Sequence, residues 1–342
     1  MNMALSYLSE QHTRLDLGRY GVGSDPAWVA ITPRFRASSH VIVLILDERT
    51  ATPALAVKIA RLPGDATSLD REVAHLRALQ AGRSGGYDSI PRVIAYDRHH
   101  GHPLLVETAL VGRPMSPAMV RRDQARCCDA VLRWMAELQT AAPASPDPAW
   151  FARLVEEPLG RLAAALGPGD GGDRLLAESW AQASALRAAG APLGFEHGDL
   201  SHPNVLLLPG GGAGVLDWET AEPLGLPACD LFFFLTYIAF ARRGRWSRQG
   251  HVEAFHEAFF GPRPWARPYV EGYAREVGLP AAALTPLLVL TWARYLAGLL
   301  ARLGEEEGPA AGRESAEWLR RNRFFALWRH AVEHAGSLAW AC

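Results

Sequence analysis

Residues 194–219 read GFEHGDLSHPNVLLLPGGGAGVLDWE, and this stretch decides which fold we expect for the whole chain. A polar loop leads into the apolar run VLLL, a glycine-rich turn follows, and a second apolar run ends in LDWE. Two short apolar runs around such a turn predict a β-hairpin, set among segments rich in alanine and leucine that predict helices. Because functional side chains concentrate on loops held by rigid elements, we expect the chemistry of the chain in the loop before the hairpin.

The side chains of this loop and hairpin are those that phosphoryl transfer requires. That reaction needs a carboxylate to orient the attacking hydroxyl and accept its proton, and oxygen ligands that hold magnesium against the phosphate oxygens. Asp199 can supply the carboxylate, while Asn204 and Asp217, the latter at the predicted end of the second strand, can supply the ligands. The alternative interpretation is a turn that contains Asp, Asn and Pro for conformational reasons alone.

The pattern H-G-D-x-x-x-x-N runs from His197 to Asn204 and is followed by L-D-W-E. It resembles the catalytic loop and metal-binding segment of the aminoglycoside phosphotransferase and choline kinase family, whose members share the protein-kinase-like fold. The resemblance implies an α+β, bilobal fold with a small antiparallel-sheet N-lobe and a larger, mostly helical C-lobe. It also implies that Asp199 is the catalytic base, that Asn204 and Asp217 bind Mg2+, and that His197 organises the catalytic loop.

The first third of the chain has the pattern expected of such an N-lobe. Three strands of an antiparallel meander are predicted between residues 28 and 60, in VAITPRF, HVIVLILDE and PALAVKIAR. The period then changes to that of a helix over 68–79. Two further strands are predicted over 91–96 and 103–107.

Gly112 and Pro114 interrupt the strand pattern, and the sequence beyond them predicts mostly helices. We therefore divide the chain into an N-lobe, residues 1–110, that binds nucleotide and a C-lobe, residues 111–342. The C-lobe would contain the catalytic loop, the metal-binding hairpin and the acceptor site.

Lys58 is the only lysine of the chain, since 34 of its 35 basic residues are arginine. A position that keeps lysine in such a chain is expected to need a compact point charge rather than a planar guanidinium. With Glu72 in the following helix, the stretch A-V-K-I resembles the strand lysine and helix glutamate of kinase folds, which hold the α- and β-phosphates. For Glu72 the alternative is a helix-dipole role in the first turn.

The resemblance implies three further roles. Loop 33–40 reads P-R-F-R-A-S-S-H where the family has its phosphate-covering loop, so Ser38 and Ser39 are the expected phosphate contacts. The segment from Glu107 to Leu110 resembles the hinge whose backbone pairs with adenine, although an ordinary strand end would read the same. Asp230 matches the aspartate that supports the catalytic loop, with a helix N-cap as the alternative.

The composition of the chain indicates a globular protein and argues against nucleic-acid binding and membrane binding. The 342 residues, 49% hydrophobic and 21% charged, suit two packed globular domains. A net charge of -1 would not attract nucleic acid or an anionic membrane, and the four cysteines lack metal-site spacing and are expected to be reduced. The N-terminus lacks a secretory signal, and the apolar stretches 231–240 and 281–300 are expected to be core helices rather than transmembrane segments. We therefore expect a cytoplasmic protein.

These observations predict a phosphotransferase that uses ATP, or GTP, with Mg2+ to phosphorylate a hydroxyl of a small molecule such as an aminoglycoside, sugar or amino alcohol. The acidic run Glu305–Glu307 and the tryptophans of the C-lobe are candidate acceptor contacts, and the oligomeric state stays open. One alternative is a nucleotide-binding kinase-like protein without catalysis. Another is a metal-dependent hydrolase whose ligands are His197, Asp199, His202 and Asp217.

The single lysine yields a direct test. Lys58→Arg conserves the charge but replaces a compact ammonium with a planar fork, so we expect it to lower kcat/KM for phosphoryl transfer at least about tenfold, equal to about 1.4 kcal/mol. Steady-state kinetics of the purified variant measure the effect. Wild-type kinetics from Lys58→Arg would make the single lysine an accident of composition.

Overall fold

The computed structural model describes the chain except residues 1–2, 32–39, 84, 142–146, 168, 170–171, 245–246, 308–312 and 342. Its described residues form ten strands in three antiparallel sheets. The strands are β1 (Trp28–Ile31), β2 (His40–Leu46), β3 (Pro53–Ala60), β4 (Val93–His99), β5 (His102–Thr108), β6 (Arg113–Pro114), β7 (Gly194–Glu196), β8 (Val205–Leu207), β9 (Ala213–Val215) and β10 (Glu222–Gly225).

The described residues also form twelve α-helices, with short 3-10 turns at Leu17–Tyr20, His202–Asn204 and Ala335–Ser337 and a π-helical turn at Ala152–Glu156. The helices are α1 (Met3–Gln11), α2 (Thr67–Ala81), α3 (Pro117–Arg122), α4 (Gln124–Ala141), α5 (Glu157–Leu166), α6 (Gly172–Ala189), α7 (Pro227–Arg243), α8 (Arg248–Phe259), α9 (Arg267–Val277), α10 (Ala281–Glu307), α11 (Arg313–Arg321) and α12 (Arg323–His334).

The chain folds into two compact units. Unit 1 comprises Met1–Met115 and Pro203–Ala221, and unit 2 comprises Ser116–His202 and Glu222–Cys342. The sequence-based division at residue 110 places the whole hairpin in the second domain, whereas the structure groups it with unit 1.

Backbone pairing explains why the hairpin belongs to unit 1. Strand β8 pairs with β6, and the amide of Met115 donates to the carbonyl of Val205 at 2.9 Å. The amide of Val215, in β9, donates to the carbonyl of Ser89 at 2.9 Å. The sequence pattern of a hairpin identifies its two strands but not the third strand that it joins.

The main sheet of unit 1 has the strand order β1-β2-β3-β5-β4. Because successive side chains of a strand point to opposite faces, β3 contributes to two cores. Leu55 and Val57 pack in the cluster that includes Ala4 and Tyr7 of α1, a helix that the sequence analysis did not predict. Ala60 packs on the other face, against residues of α2. Lys58 alternates with Val57 and therefore faces α2.

The second strand of the hairpin is shorter than predicted. We expected a strand through VLDWE, but β9 ends at Val215, in register with Val205 of β8. Asp217 has a φ of 69°, in the left-handed region that a strand cannot adopt. The backbone leaves the sheet direction before Asp217, so the prediction that this residue ends the strand was wrong.

Unit 2 is mostly helical, with the short sheet of β7 and β10 as the strands that pair within it. Its core is aromatic, and the indole nitrogen of Trp328 donates to Ser179 Oγ at 3.0 Å. Cys127, Cys128 and Cys229 are free and buried, as expected of reduced thiols. Fully buried aromatic side chains of unit 2 include Phe232, Phe234, Phe255, Trp292 and Trp328.

By length and composition, Ala281–Leu303 of α10 is the one segment of the described chain that could cross a membrane. However, 67% of its apolar window is buried inside the fold, and Arg294 lies within it. Arg294 forms an ion pair inside unit 2, which suits the predicted core helix.

Gly112 is required at a close approach within unit 1. A Cβ at this position would lie 2.9 Å from Leu206 Cβ and 2.9 Å from the Leu207 carbonyl oxygen. We expect Gly112→Ala to lower the free energy of unfolding by about 1–3 kcal/mol, as overpacking does. Urea unfolding followed by circular dichroism measures this change.

Gly18→Ala is the matched control in the same unit, because a Cβ on Gly18 meets nothing within 4 Å. It should leave stability unchanged or raise it slightly. Equal unfolding midpoints for Gly112→Ala and Gly18→Ala would contradict the close approach.

Candidate active site

Lys58 and Glu72 form a buried ion pair in unit 1. Lys58 Nζ lies 2.5 Å from Glu72 Oε1, and the two side chains are 5% and 1% exposed. The contact arises because Lys58 points to the α2 face of β3 and Glu72 lies on the buried side of α2. The structure thus brings together the two residues that the sequence analysis linked.

Glu107 is a second carboxylate beside the same lysine. Its Oε1 lies 3.4 Å from Lys58 Nζ, and its side chain is 3% exposed. Burial raises the pKa of Glu107 to about 8, although Lys58 acts in the opposite direction. Sequence analysis assigned Glu107 to the hinge through its backbone. In the structure its side chain belongs to the lysine cluster.

Lys58 stays charged despite its burial. Burial by itself lowers the pKa of Lys58, but the carboxylates of Glu107, Glu72 and Asp217 outweigh it and raise the pKa above the usual value. The ammonium is therefore surrounded by more negative charge than it can neutralise. Such a cluster attracts further cations.

Glu72 also fixes the backbone next to Asp217. The oxygen that contacts Lys58, Oε1, accepts a hydrogen bond of 3.1 Å from the amide of Trp218. One turn further along α2, His75 Nδ1 donates to the carbonyl of Trp218 at 2.8 Å. Two side chains of α2 therefore hold both backbone groups of the residue after Asp217.

Asp217 has the features of a metal ligand. It adopts a φ of 69°, a conformation that costs free energy for any residue with a side chain. Its Oδ1 atom is buried and has no hydrogen-bond partner among the described residues. A buried carboxylate oxygen without a donor is costly. A bound cation would remove that cost.

Asn204 lies at the same end of the hairpin as Asp217. Val205 pairs with Val215, and the amide of Leu216 donates to the Asn204 carbonyl at 2.9 Å. Amide and carboxylate oxygens are the ligand types that Mg2+ prefers. The donor set that unit 1 offers at this point therefore fits Mg2+.

His40 is a neighbour of this cluster that the sequence analysis did not single out. It is the first residue of β2 and is buried. Burial, together with the charge of Lys58, lowers the pKa of His40, so the imidazole is neutral near pH 7. Its position as the last residue of the predicted phosphate loop was the available signal. Ser38 and Ser39, predicted to contact phosphate in that loop, lie outside the described residues.

The predicted hinge residue Leu110 follows β5 in unit 1. The amides of Thr108 and Ala109 already donate to the carbonyls of Arg92 and Ala54, each at 2.9 Å. The amide of Leu110 has no acceptor among the described residues. Of these three amides, only that of Leu110 is therefore available to a ligand.

In unit 2, Asp230 holds the start of the loop that carries Asp199. Asp230 Oδ2 accepts from the His197 amide at 2.5 Å and Oδ1 accepts from the Gly198 amide at 2.9 Å. His197 Nδ1 in turn accepts from the Asp199 amide at 3.2 Å. His197 and Asp230 thus contact the backbone on either side of Gly198, as loop-organising residues would.

Glu196, the residue before His197, forms an ion pair with Arg294 and was missed by the sequence analysis. Arg294 NH1 and NH2 donate to its two carboxylate oxygens at 2.7 and 2.8 Å. Glu196 Oε2 also accepts from the Leu226 amide at 2.7 Å, at the residue before α7. A bidentate pair of this kind fixes geometry as well as charge.

Two tyrosines form the surroundings of Asp199 within unit 2. Burial, and then the charge of Asp199, raises the pKa of Tyr237 to about 12 and raises that of Tyr295 as well. Tyr237 also interacts with the Arg323 guanidinium, and its ring lies 4.8 Å from that of Phe233. The tryptophans Trp292 and Trp328 are buried in the core.

The ligand set of a hydrolase is not assembled in unit 2. His197, Asp199 and His202 do not converge as a group of possible metal ligands among the described residues. Instead, His197 Nδ1 accepts a backbone amide. The side chains of Glu305–Glu307, suggested as acceptor contacts, lie outside what the structure describes.

Comparison with known proteins identifies the family to which the chain is similar in sequence. The sequence profile of the phosphotransferase enzyme family matches residues 36–269, more than half of the chain. The match includes Lys58, Glu72, Asp199 and Asp217. A search of curated protein sequences finds no significant match.

Solved structures are similar over nearly the whole chain. An ethanolamine kinase from Plasmodium vivax superposes with a TM-score of 0.58 at 10% identity, covering 98% of this chain and 89% of its own. A choline/ethanolamine kinase family protein from Mesorhizobium loti gives 0.53 at 15% identity, covering 97% and 99%. The GDP and kanamycin complex of an APH(2″) enzyme gives 0.54 at 12% identity, covering 96% and 98%. The predicted α+β kinase-like fold is confirmed.

The raised pKa of Glu107 predicts a pH-dependent stability. Between its ordinary pKa of 4.5 and about 8, Glu107 is protonated in the folded state and ionised in the unfolded state. Wild type therefore loses stability as the pH rises through this window. Glu107→Gln removes this titrating group. The free energy of unfolding of the variant minus that of wild type should therefore increase by up to about 1.4 kcal/mol for each pH unit in this window.

Urea unfolding of both proteins at several values between pH 5 and 9 checks this difference. Glu317→Gln, which removes an exposed carboxylate paired with Arg321, is the control for the loss of an acid. If the free energies of unfolding of Glu107→Gln and wild type differ by the same amount at every pH in this range, Glu107 is not protonated in the folded state.

Proposed function

The chain belongs to the phosphotransferase enzyme family, and we propose that it transfers the γ-phosphoryl group of ATP or GTP to a hydroxyl of a small molecule, with Mg2+. The family match confirms the resemblance stated from the catalytic-loop motif. The chain is thus a small-molecule phosphotransferase. The nucleotide, the metal and the role of each residue are the proposal. The observation that carries it is the buried cluster in which Glu72 joins Lys58 to the backbone beside Asp217.

Lys58 is the residue proposed to contact the α- and β-phosphates. Its ammonium is buried and charged, and Glu72 and Glu107 hold it at 2.5 and 3.4 Å. A charge fixed in advance, in surroundings with little water, stabilises phosphate charge more strongly than one in solution. His40, neutral and near Lys58, is a candidate hydrogen-bond donor to the same phosphates.

Asn204 and Asp217 are the residues proposed to hold Mg2+. The metal, when bound, would offset the charge of the phosphate oxygens and align the γ-phosphoryl group. The buried, unpartnered Oδ1 of Asp217 and its left-handed backbone support this assignment. Leu110 is proposed to bind the adenine or guanine edge through its available amide.

Asp199 is the proposed general base. Its carboxylate would accept a hydrogen bond from the acceptor hydroxyl and take the proton as the oxygen attacks the γ-phosphorus. The O–H bond breaks and a bond forms between the acceptor oxygen and the γ-phosphorus. The bond from the γ-phosphorus to the bridging oxygen breaks, and its electron pair stays on the nucleoside diphosphate that leaves. His197 Nδ1 accepts from the amide of Asp199, and Asp230 holds the amides of His197 and Gly198. These bonds would position the carboxylate of Asp199 before the substrate binds.

The side chains near Asp199 indicate which charge and polarity the acceptor molecule should have. The hydroxyls of Tyr237 and Tyr295 can hydrogen-bond a polyol, and the charge of Arg323 reaches both tyrosines, as that of Arg302 reaches Tyr295. Positive charge at this point disfavours a polycationic aminoglycoside. Among the classes that the sequence left open, a neutral or anionic sugar-like acceptor therefore fits the described side chains best. Such a substrate and nucleoside triphosphate are both available in the cytoplasm, where we place the enzyme.

Thermal denaturation with Mg2+ plus ATP, GTP or neither tests nucleotide binding, because a ligand of the native state raises Tm by mass action. Phosphate transfer to a panel of sugars, amino alcohols and aminoglycosides tests the reaction. A nucleotide-dependent rise in Tm with transfer to one acceptor class supports the proposal. A rise in Tm without transfer to any member favours the catalytically silent alternative. No rise with either nucleotide contradicts the proposal.

Asp199→Asn is the variant that tests the general base. It preserves shape and removes the proton acceptor, so kcat should fall by about 10²–10⁴ while nucleotide affinity stays near that of wild type. Steady-state kinetics and the nucleotide-induced shift in Tm measure the two effects. Asp129→Asn, at an exposed position of α4, is the control. A fully active Asp199→Asn enzyme would remove the assignment.

A further inference from the structure

Three histidines converge in unit 2 at a place that the proposed reaction does not use. His256 lies on α8, and His330 and His334 lie on α12. Possible ligand atoms of the three rings all lie within 4.8 Å of one another, and among the described residues no other three His, Cys, Asp or Glu side chains meet this closely. The i, i+4 spacing of His330 and His334 places both rings on one face of α12.

The distances are close to those of a metal centre. His256 Nδ1 and His330 Nε2 lie 3.1 Å apart and share a hydrogen bond, whose proton a bound metal would displace. Two nitrogens bound tetrahedrally to one zinc ion, each at about 2.0–2.1 Å, are separated by about 3.3 Å. All three ligand atoms lie within 4.8 Å of one another. Closing the arrangement to the tetrahedral spacing therefore needs each separation to shorten by no more than about 1.5 Å.

A hydrogen bond to the backbone determines which nitrogen of His334 is available to a metal. His334 Nδ1 donates to the carbonyl of His330 at 2.9 Å, which leaves Nε2 as the nitrogen with a lone pair. A backbone carbonyl that fixes the tautomer in this way is the usual support for a metal-binding histidine.

The surroundings of the three rings are aromatic. The ring centroid of Phe260 lies 6.1 Å from that of His256, 5.4 Å from that of His330 and 5.7 Å from that of His334. Phe255 lies 6.0 Å from His330. A phenylalanine side chain offers no hydrogen bond, so the phenylalanine rings supply no partner to the three imidazoles.

We propose that His256, His330 and His334 bind one divalent transition-metal ion of the zinc class, with water as the fourth ligand. Neutral imidazoles without a carboxylate suit Zn2+, Cu2+, Ni2+ or Co2+ rather than Mg2+, which prefers oxygen. The site is thus distinct in chemistry and in residues from the Mg2+ ligands proposed in unit 1. Three protein ligands leave one position open, as zinc sites with a bound water do.

The metal would connect α8 to α12. Arg323, whose charge reaches Tyr237, begins α12, and Phe324 contacts Tyr295 at 4.7 Å between ring centroids. A metal that fixes the end of α12 to α8 would hold the tyrosines beside Asp199 through the same helix. The metal site is nevertheless structural in this proposal and takes no part in proton or phosphoryl transfer.

Metal binding to the full chain, prepared without a histidine tag and treated with chelator, tests the proposal. Equilibrium dialysis against ZnCl2 with elemental analysis should give one zinc per chain, and Zn2+ should raise Tm whereas equimolar Mg2+ alone should not. Co2+ should give the visible d–d absorption of a four-coordinate site. His256→Gln and His334→Gln should each weaken zinc binding at least about tenfold.

His100→Asn is the matched control, because His100 is exposed, lies in unit 1 and should leave zinc binding unchanged. Circular dichroism of each variant without metal separates loss of a ligand from loss of folding. If a single variant fails to fold, the cobalt spectrum of wild type still decides the question. Zinc binding that His256→Gln and His334→Gln leave intact, or wild type that binds none, would overturn the proposal.

Discussion

The arrangement of unit 1 depends on one carboxylate oxygen, Glu72 Oε1, which contacts Lys58 Nζ and the amide of Trp218 at once. Removing one partner of a buried ion pair costs about 3–5 kcal/mol, because the other charge is left without compensation. The pair forms only when α2 packs on β3 with Glu72 facing inward. The second bond to Glu72 forms only when the hairpin brings the amide of Trp218 to α2. A displacement of either element would therefore separate the lysine, the helix and the chain beside Asp217 together.

The same cluster contains an excess of negative charge. Glu72, Glu107 and Asp217 all interact with Lys58, and full ionisation would leave a net charge of two negative units in a buried region. The protein relieves part of this excess by the raised pKa of Glu107. Asp217 is different, because its Oδ1 has no partner and its backbone is held in a costly conformation. Both costs fall on Asp217, and a bound cation would offset that of the unpartnered oxygen. The structure at this residue therefore supports the proposal that Asp217 is a metal ligand.

The sequence predicted those parts of the site that lie within a short stretch or that a single unusual residue marks. The loop from His197 to Asn204 and the lone Lys58 are of this kind. The sequence could not predict contacts set by tertiary pairing, such as Glu196 with Arg294, 98 residues away. Nor could it predict that Glu107 faces Lys58, because that depends on the pairing of Glu107 with Ala56 in neighbouring strands. It likewise extended the second hairpin strand too far, since an apolar run does not reveal the positive φ of Asp217.

The loop of residues 197–204 runs from one unit into the other, and each end is anchored in its own unit. Asp230 holds the amides of His197 and Gly198 in unit 2, while the Asn204 carbonyl accepts the Leu216 amide in unit 1. Hydrogen bonds to backbone groups thus fix the loop at both ends. The proposed proton acceptor Asp199 and the proposed metal ligand Asn204, five residues apart on this loop, therefore need no shared helix or strand. Their positions depend on anchors that lie far away in the sequence, which is why a short motif can identify the residues but cannot specify what holds them.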